Sequence, residues 1–282
     1  MYKIVRKKAL NPTVTQMEIE APLVANKARP GQFIILRVDE EGERIPLTVA
    51  GTNPEEGTVK IIFQIVGATT EQLNHKNEGE SIQDFVGPLG VATHTEGIKK
   101  VCIVGGGVGC AIAMPVAQEF HRLGAEVTSI IGFRSKDLLI LEDEFRACSD
   151  KLIVMTDDGS YARHGNVTVP LKEMLEAGEK FDAIITIGPL IMMKFVTLTA
   201  KPFGVPVTAS MNPIMIDGTG MCGGCRLTLN QDGKRVTKFA CVDGPDFNAY
   251  EIDFDEAMSR GRMYFDYERR AHEEVCNLFK NA

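Results

Sequence analysis

Val101-Cys-Ile-Val-Gly105-Gly106-Gly107-Val108-Gly109-Cys110 is an apolar run that breaks into glycines just before a helix-forming stretch, residues 111–123. A strand ending in such a turn lets the backbone approach a pyrophosphate, which then sits on the positive end of the following helix. Gly106, Gly107, Val108 and Gly109 are therefore the candidate contacts to a dinucleotide's phosphates. The pattern is not a strict G-x-G-x-x-G, because Cys110 stands where the last small residue belongs. Downstream, apolar runs at 126–133, 152–155 and 183–187 alternate with helix-like segments around 139–148, 169–177 and 192–200. Alternation of this kind predicts a doubly wound parallel sheet. Upstream, short alternating runs at 3–5, 14–19, 32–38 and 59–66 are punctuated by Asn11-Pro, Pro30-Gly and Asn53-Pro. They predict a small antiparallel barrel or sandwich.

Composition narrows the function classes. The chain has 282 residues, enough for two modest domains, and a formal net charge of -7. That balance argues against a nucleic-acid surface, which needs a basic face. No apolar run approaches the roughly 18 charge-free residues of a membrane span, and the basic start is followed by Asn11-Pro-Thr rather than an apolar signal core. The expectation is a cytoplasmic protein with no membrane partner. Seven cysteines in such a chain do not read as a disulfide framework. Cys102, Cys110, Cys148 and Cys276 are expected to be small buried hydrophobes.

The remaining three belong to Asp217-Gly-Thr-Gly-Met-Cys222-Gly-Gly-Cys225 and, after fifteen intervening residues, Cys241. The spacing D-x4-C-x2-C-x15-C fits a plant-type [2Fe–2S] site with aspartate in the first ligand position. A chain wrapping a cluster must turn tightly and aim N–H groups at sulfur, which the four glycines of the loop permit. A carboxylate is a harder ligand than thiolate and is usable for iron. A Cys3Asp zinc site is the competing reading, and Cys276 is the alternative fourth ligand.

Two further stretches read as cofactor contacts. Arg44-Ile-Pro46-Leu47-Thr48 places an arginine and a hydroxyl on one strand, and Gln64-Ile-Val66-Gly67-Ala-Thr69-Thr70 supplies N–H and O–H donors in a turn. Both suit a flavin diphosphate and ring edge, though by spacing alone a surface arginine and a strand threonine are the better reading. A flavin is the natural connector between a two-electron hydride donor and a one-electron cluster. The choice between NAD and NADP stays open. Glu126 begins the second strand, where the ribose-binding acid normally ends it, and Arg134 with Ser135 occupies that end instead.

In their order, these motifs resemble the ferredoxin–NADP reductase superfamily over nearly the whole chain. Within it, the chain is similar to the group holding the electron-transfer subunit of dihydroorotate dehydrogenase. It resembles in particular the small subunits of NADH-dependent reduced ferredoxin:NADP oxidoreductases, also called sulfide dehydrogenases. Gly87-Pro-Leu-Gly90 matches the barrel exit. Arg134 in Gly132-Phe-Arg-Ser, Asp157 in Asp157-Asp-Gly-Ser160, and Gly188-Pro189 with Met192 and Met193 match the nicotinamide domain. Aspartate at 217, where dihydroorotate dehydrogenase subunits carry cysteine, matches the bifurcating members, and Cys241-Val-Asp-Gly-Pro-Asp-Phe247 also fits. Ala162 departs from the pattern, which has glycine there.

The resemblance implies a flavin-binding barrel at 1–97, a nicotinamide domain at 98–205, a cluster loop at 206–247 and a helical tail at 248–282. It implies an FAD held by Arg44, Thr48 and Gly67–Thr70, NAD(H), and a [2Fe–2S] cluster on Asp217, Cys222, Cys225 and Cys241. Hydride would pass directly between nicotinamide and flavin, so no side chain need act as a general acid or base. The implied partner is a larger subunit with a second flavin and [4Fe–4S] clusters, forming a heterodimer and handling ferredoxin and NADP(H). The alternatives are service to dihydroorotate oxidation or a hydrogenase, or, outside enzymes, a zinc-stabilised docking module holding a nucleotide.

Overall fold

The computed structural model describes residues 1–280, with side chains to Cys276. The N-terminal elements are β1 (Tyr2–Asn11), β2 (Val14–Glu20), α1 (Pro22–Ala25), β3 (Phe33–Arg37), β4 (Arg44–Asn53), β5 (Thr58–Gln64), α2 (Ala68–His75), β6 (Ser81–Ile82) and β7 (Asp84–Leu89). Their strands pair antiparallel in the order β6-β1-β2-β5-β4-β3-β7, a curled half-barrel as expected. Alternation sets its faces. On β2, Met17 and Ile19 are buried while Gln16 and Glu18 turn outward, and Glu18 lies opposite Lys60 across the sheet. Ile4, Ile34, Leu36, Ile61, Phe63 and Phe85 complete the interior. Residues 67–70 do not stop at a turn. They open α2, which plugs the barrel with the fully buried Leu73.

The second half begins with β8 (Lys100–Gly106), α3 (Gly109–Arg122), β9 (Glu126–Phe133), α4 (Glu142–Ala147), β10 (Lys151–Thr156), β11 (Arg163–His164), α5 (Thr168–Glu176), β12 (Ala183–Ile187), α6 (Leu190–Ala200) and β13 (Val207–Ser210). The strands run in the order β11-β10-β9-β8-β12-β13 and all of these pairs are parallel. Both faces are covered, so β8 is continuously apolar. Val101 and Ile103 face α3 through Ala113, Val116 and Phe120, whereas Cys102 and Val104 face Leu171 of α5 and Met193 and Val196 of α6. The helix expected around 139–148 is shorter. Leu141 sits at φ +60, and only from Glu142, with three acids in the first turn, does the helix run.

The chain ends with β14 (Arg226–Gln231), β15 (Lys234–Phe239), α7 (Ala240–Asp243), β16 (Asp246–Asn248), α8 (Phe254–Arg260) and α9 (Phe265–Lys280). β13 and β16 extend the parallel sheet, β16 antiparallel to its neighbour, so that sheet draws on residues beyond 205. Within the cysteine-rich stretch, β14 and β15 form a hairpin that the sequence reading treats as loop. Asp253 caps α8 by accepting from Glu256 N at 2.9 Å, and the tail breaks at Gly261, the weakest helix former in it. No helix among the described residues is long and apolar enough to cross a membrane.

Ala162 stands at φ +51, which explains why glycine is expected there. A left-handed L-residue costs roughly 1–2 kcal/mol, partly offset by the chain entropy glycine loses on folding. Ala162→Gly is therefore expected to raise the thermal midpoint by about 1–3 °C. A midpoint that stays or falls in differential scanning fluorimetry contradicts this.

Candidate functional site

The parallel sheet reverses its winding between β8 and β12, and there the two glycine motifs meet. A methyl group on Gly109 would lie 2.6 Å from the Ile187 carbonyl oxygen and 2.7 Å from Gly188 Cα. One on Gly106 would collide with Met192 Sδ and reach Pro189 Cδ at 3.3 Å. Gly106–Gly109 and Gly188, Pro189 and Met192 thus form one surface at the carboxyl ends of adjacent strands, where open α/β sheets bind ligands. Cys110 is fully buried, its sulfur directly beneath Gly105, so the departure from the glycine pattern is a packing choice under the turn. Arg134 is exposed just past β9. Its carbonyl accepts from Asp158 N at 3.1 Å, and Asp157 N donates to Phe133 O at 3.0 Å, so these two expected contacts sit on adjacent loops. Glu126 is engaged elsewhere, ion-paired with Lys100 at 2.6 Å at the far end of the strands.

The strand residues Arg44–Thr48 occupy one end of the half-barrel. Thr48 pairs with Phe33, Leu47 with Ile34, Pro46 with Ile35, and Arg44 with Arg37. Arg44 is exposed, with a guanidinium nitrogen 4.0 Å from Asp84 Oδ2. The register Val49↔Ile61 carries Gln64 toward the same end, from which the chain passes through exposed Val66 into α2. Thr69 is buried. Thr70 Oγ1 accepts from Val66 N and Gly67 N, both at 3.0 Å, and donates to Gly67 O at 2.9 Å. Thr70 therefore shapes the turn, and the first N–H groups of α2 are the donors left pointing out of the helix. An anion such as a flavin diphosphate fits that end.

The cysteine loop docks on this same barrel end. Gly218 has φ +76, and a methyl there would meet Leu89 Cδ1 at 2.6 Å and Ile35 Cδ1 at 3.0 Å, so only glycine lets the loop lie on β3 and β7. Val91 N donates to Gly244 O at 2.7 Å and Thr93 Oγ1 to Asp246 Oδ2 at 2.6 Å. Cys225 and Cys241 are buried in a core that also holds Phe33 and Ile35 of the barrel and Val104 of the parallel sheet. Their sulfurs are 3.2 Å apart. Cys222 is exposed, and its sulfur accepts from Gly224 N at 3.5 Å. Asp217 accepts from Thr219 N at 2.8 Å and Cys222 N at 3.0 Å. Those N–H groups, Thr219 first, hold its carboxyl below the ordinary carboxylate range.

Burial, then the neighbouring Cys225 sulfur, pushes the Cys241 thiol up to about 12. Two buried sulfurs this close are poorly placed as thiolates by themselves and well placed to share a cation. The donor set of three sulfurs and a carboxylate suits iron. Cys276 is not among these groups. It sits on α9 facing α2, so it is no alternative ligand here.

A curled antiparallel half-barrel, a doubly wound parallel sheet and a docked cysteine loop together suit an oxidoreductase of the electron-transfer class. The comparisons agree. Residues 212–253 match the family model described as the iron–sulfur cluster binding domain of dihydroorotate dehydrogenase B. The chain is 47% identical, over 97% of its length and 95% of the relative's, to a dihydroorotate dehydrogenase B (NAD(+)) electron transfer subunit homolog of Thermotoga maritima. It is 37% identical over 80% of its length, and 81% of the relative's, to the probable electron transfer subunit of Methanocaldococcus jannaschii. A solved structure of an NADH-dependent reduced ferredoxin-NADP oxidoreductase, studied for flavin-based electron bifurcation, superposes with TM-score 0.90 at 45% identity over 98% of both chains. A ferredoxin reductase of carbazole 1,9a-dioxygenase shares the fold at TM-score 0.62 and 19% identity, over 73% of this chain and 65% of its own. The chain belongs to the family of dihydroorotate dehydrogenase B electron-transfer subunits and their homologues. It is an iron–sulfur, ferredoxin-reductase-like electron-transfer subunit.

Proposed function

We propose that the chain exchanges hydride between NAD(H) and FAD and passes single electrons through a [2Fe–2S] cluster to a larger partner subunit, in electron-bifurcating NADH-dependent ferredoxin:NADP oxidoreduction. The observation that carries this is the docking of the cysteine loop. Gly218 lies against Leu89 and Ile35, one strand from Arg44–Thr48, so a one-electron centre and a flavin strand share a barrel end. Met192, which closes over Gly106, packs against the core that Val104 shares with that end. When bound, FAD takes two electrons as hydride and gives them up singly, which is the conversion a cluster requires.

In this reading the chain's own groups bind and orient. Arg44 neutralises the flavin diphosphate together with the first N–H groups of α2, Thr48 meets the ring edge, and Pro46, Leu47, Gln64, Val66 and Thr69 line the seat. The backbone at Gly106–Gly109 holds the nicotinamide diphosphate, with Arg134 and Asp157 at the ribose end. The ligands fall into pairs. Cys225 and Cys241 are within 3.2 Å, while Asp217 engages Cys222 through its backbone. That pairing suits two irons, each taking two protein ligands.

Asp217 tests the ligand assignment. Asp217→Cys is expected to keep a cluster with a changed potential, and Asp217→Ala to leave one that loses iron within a purification. An unchanged potential and EPR signal in Asp217→Ala would make the carboxylate a loop cap only. A second reading, service to dihydroorotate oxidation, is favoured by the Thermotoga maritima relative's name and the matching family model. The partner that co-purifies separates the two: a flavin/[4Fe–4S] subunit active with NADPH and ferredoxin, or a dihydroorotate-oxidising one.

A further inference from the structure

Far from the cluster loop, α2 and α9 pack face to face, and each brings a pair of ligating residues one turn apart. α2 carries Glu71 and His75, and α9 carries His272 and Cys276. One ligand atom each from Glu71, His272 and Cys276 lies within 4.8 Å of the others. Glu71 is divided between two imidazoles. Its Oε1 is 3.2 Å from His75 Nε2, a hydrogen bond, while its Oε2 is 3.7 Å from His272 Nε2. The latter gap is too long for a hydrogen bond. His272 Nε2 is shielded from solvent and has no hydrogen-bond partner among the described residues. A shielded ring nitrogen facing a carboxylate and a thiol across such a gap is short of a cation. Tetrahedral zinc with bonds of about 2.0–2.3 Å sets its ligand atoms roughly 3.3–3.8 Å apart, which small side-chain adjustments reach here.

We propose that Glu71, His272 and Cys276 bind a zinc-class divalent cation that ties the C-terminal helix to α2. Imidazole, thiolate and carboxylate together favour zinc over calcium or magnesium, which take oxygen ligands. Two ligands at i and i+4 share a helix face, so His272 and Cys276 can grip one ion. His75 holds the other oxygen of Glu71 and so orients the carboxylate without touching the ion. Glu71 directly follows the Gly67–Thr70 turn, so the ion sits against the first turn of α2. Its consequence is a fixed α9, whose Arg269 and Arg270 then resist cleavage.

The test is a zinc titration of the flavin- and cluster-loaded chain, in competition with a chromophoric chelator, where the cluster itself occupies the loop cysteines. One equivalent is expected to bind, and H272Q and C276S are each expected to weaken it about 100-fold or more. Zinc is expected to slow tryptic cutting at Arg269 and Arg270 in the wild type and in neither variant. Failure to bind one equivalent, or equal affinity in wild type, H272Q and C276S, overturns the proposal. Binding that is lost in C225S and kept in H272Q also overturns it, because the ion then belongs to the cluster loop.

Discussion

Cys241→Ser is expected to abolish the iron–sulfur centre while leaving flavin reduction by NADH nearly unchanged. The Cys241 side chain is 1% exposed, and its sulfur lies 3.2 Å from that of Cys225. A hydroxyl there is smaller, harder and far less acidic than a thiol, so it neither reaches nor holds iron as thiolate does. The buried hydroxyl also costs about 1–3 kcal/mol where it finds no partner. Acid-labile sulfide should fall to background, and electron delivery to a one-electron protein acceptor should fall about 100-fold or more. The same preparation should still reduce a dye from NADH at a rate within about twofold, because hydride exchange uses the nicotinamide surface and the flavin. Full sulfide content in Cys241→Ser would remove this residue from the ligand set.

The second large effect is expected at Gly109. A Cβ there meets Ile187 O at 2.6 Å and Gly188 Cα at 2.7 Å, both backbone atoms at the carboxyl end of the central strand β12. Neither can rotate away, so Gly109→Ala must push the start of α3 off β12 by something near an ångström. Misplacement on that scale costs on the order of 100-fold in a reaction that needs the nicotinamide held close to its acceptor. Stopped-flow reduction of the flavin by NADH should therefore slow about 10–100-fold, with the cluster's EPR signal intact. Wild-type rates in Gly109→Ala would place the nicotinamide elsewhere. Paired with Cys241→Ser, this variant separates the hydride half of the reaction from the one-electron half.

Much of this architecture was legible because its signals are local. The run at 101–110 carries strand, turn and helix start in ten residues, and the structure places β8 and α3 on it. The three cysteines and Asp217 announce themselves by spacing. What escaped depends on distant partners. Lys234–Phe239 is largely polar and half exposed, so its pairing with Arg226–Gln231 leaves little hydrophobic pattern to read. Val207–Ser210 and Asp246–Asn248 are short, and become sheet only because β12 is there to accept them. Gly67–Thr70 reads as a turn because Thr-Thr at the start hides the helix, which Leu73 secures only by burial in the barrel. The contact of Gly218 with Leu89 and Ile35 shows in sequence only as one more glycine in a glycine-rich loop. Glu71 and Cys276 are 205 positions apart in the chain, and nothing local links them.

The central claim is that one chain holds a flavin beside an iron–sulfur centre on Asp217, Cys222, Cys225 and Cys241. The most direct measurement is made on anaerobically purified protein: flavin absorption, iron and acid-labile sulfide content, then EPR after dithionite reduction. Flavin bands, two iron and two sulfide per chain, and a single [2Fe–2S] signal are expected. A colourless protein with zinc on the loop cysteines and no labile sulfide would contradict it.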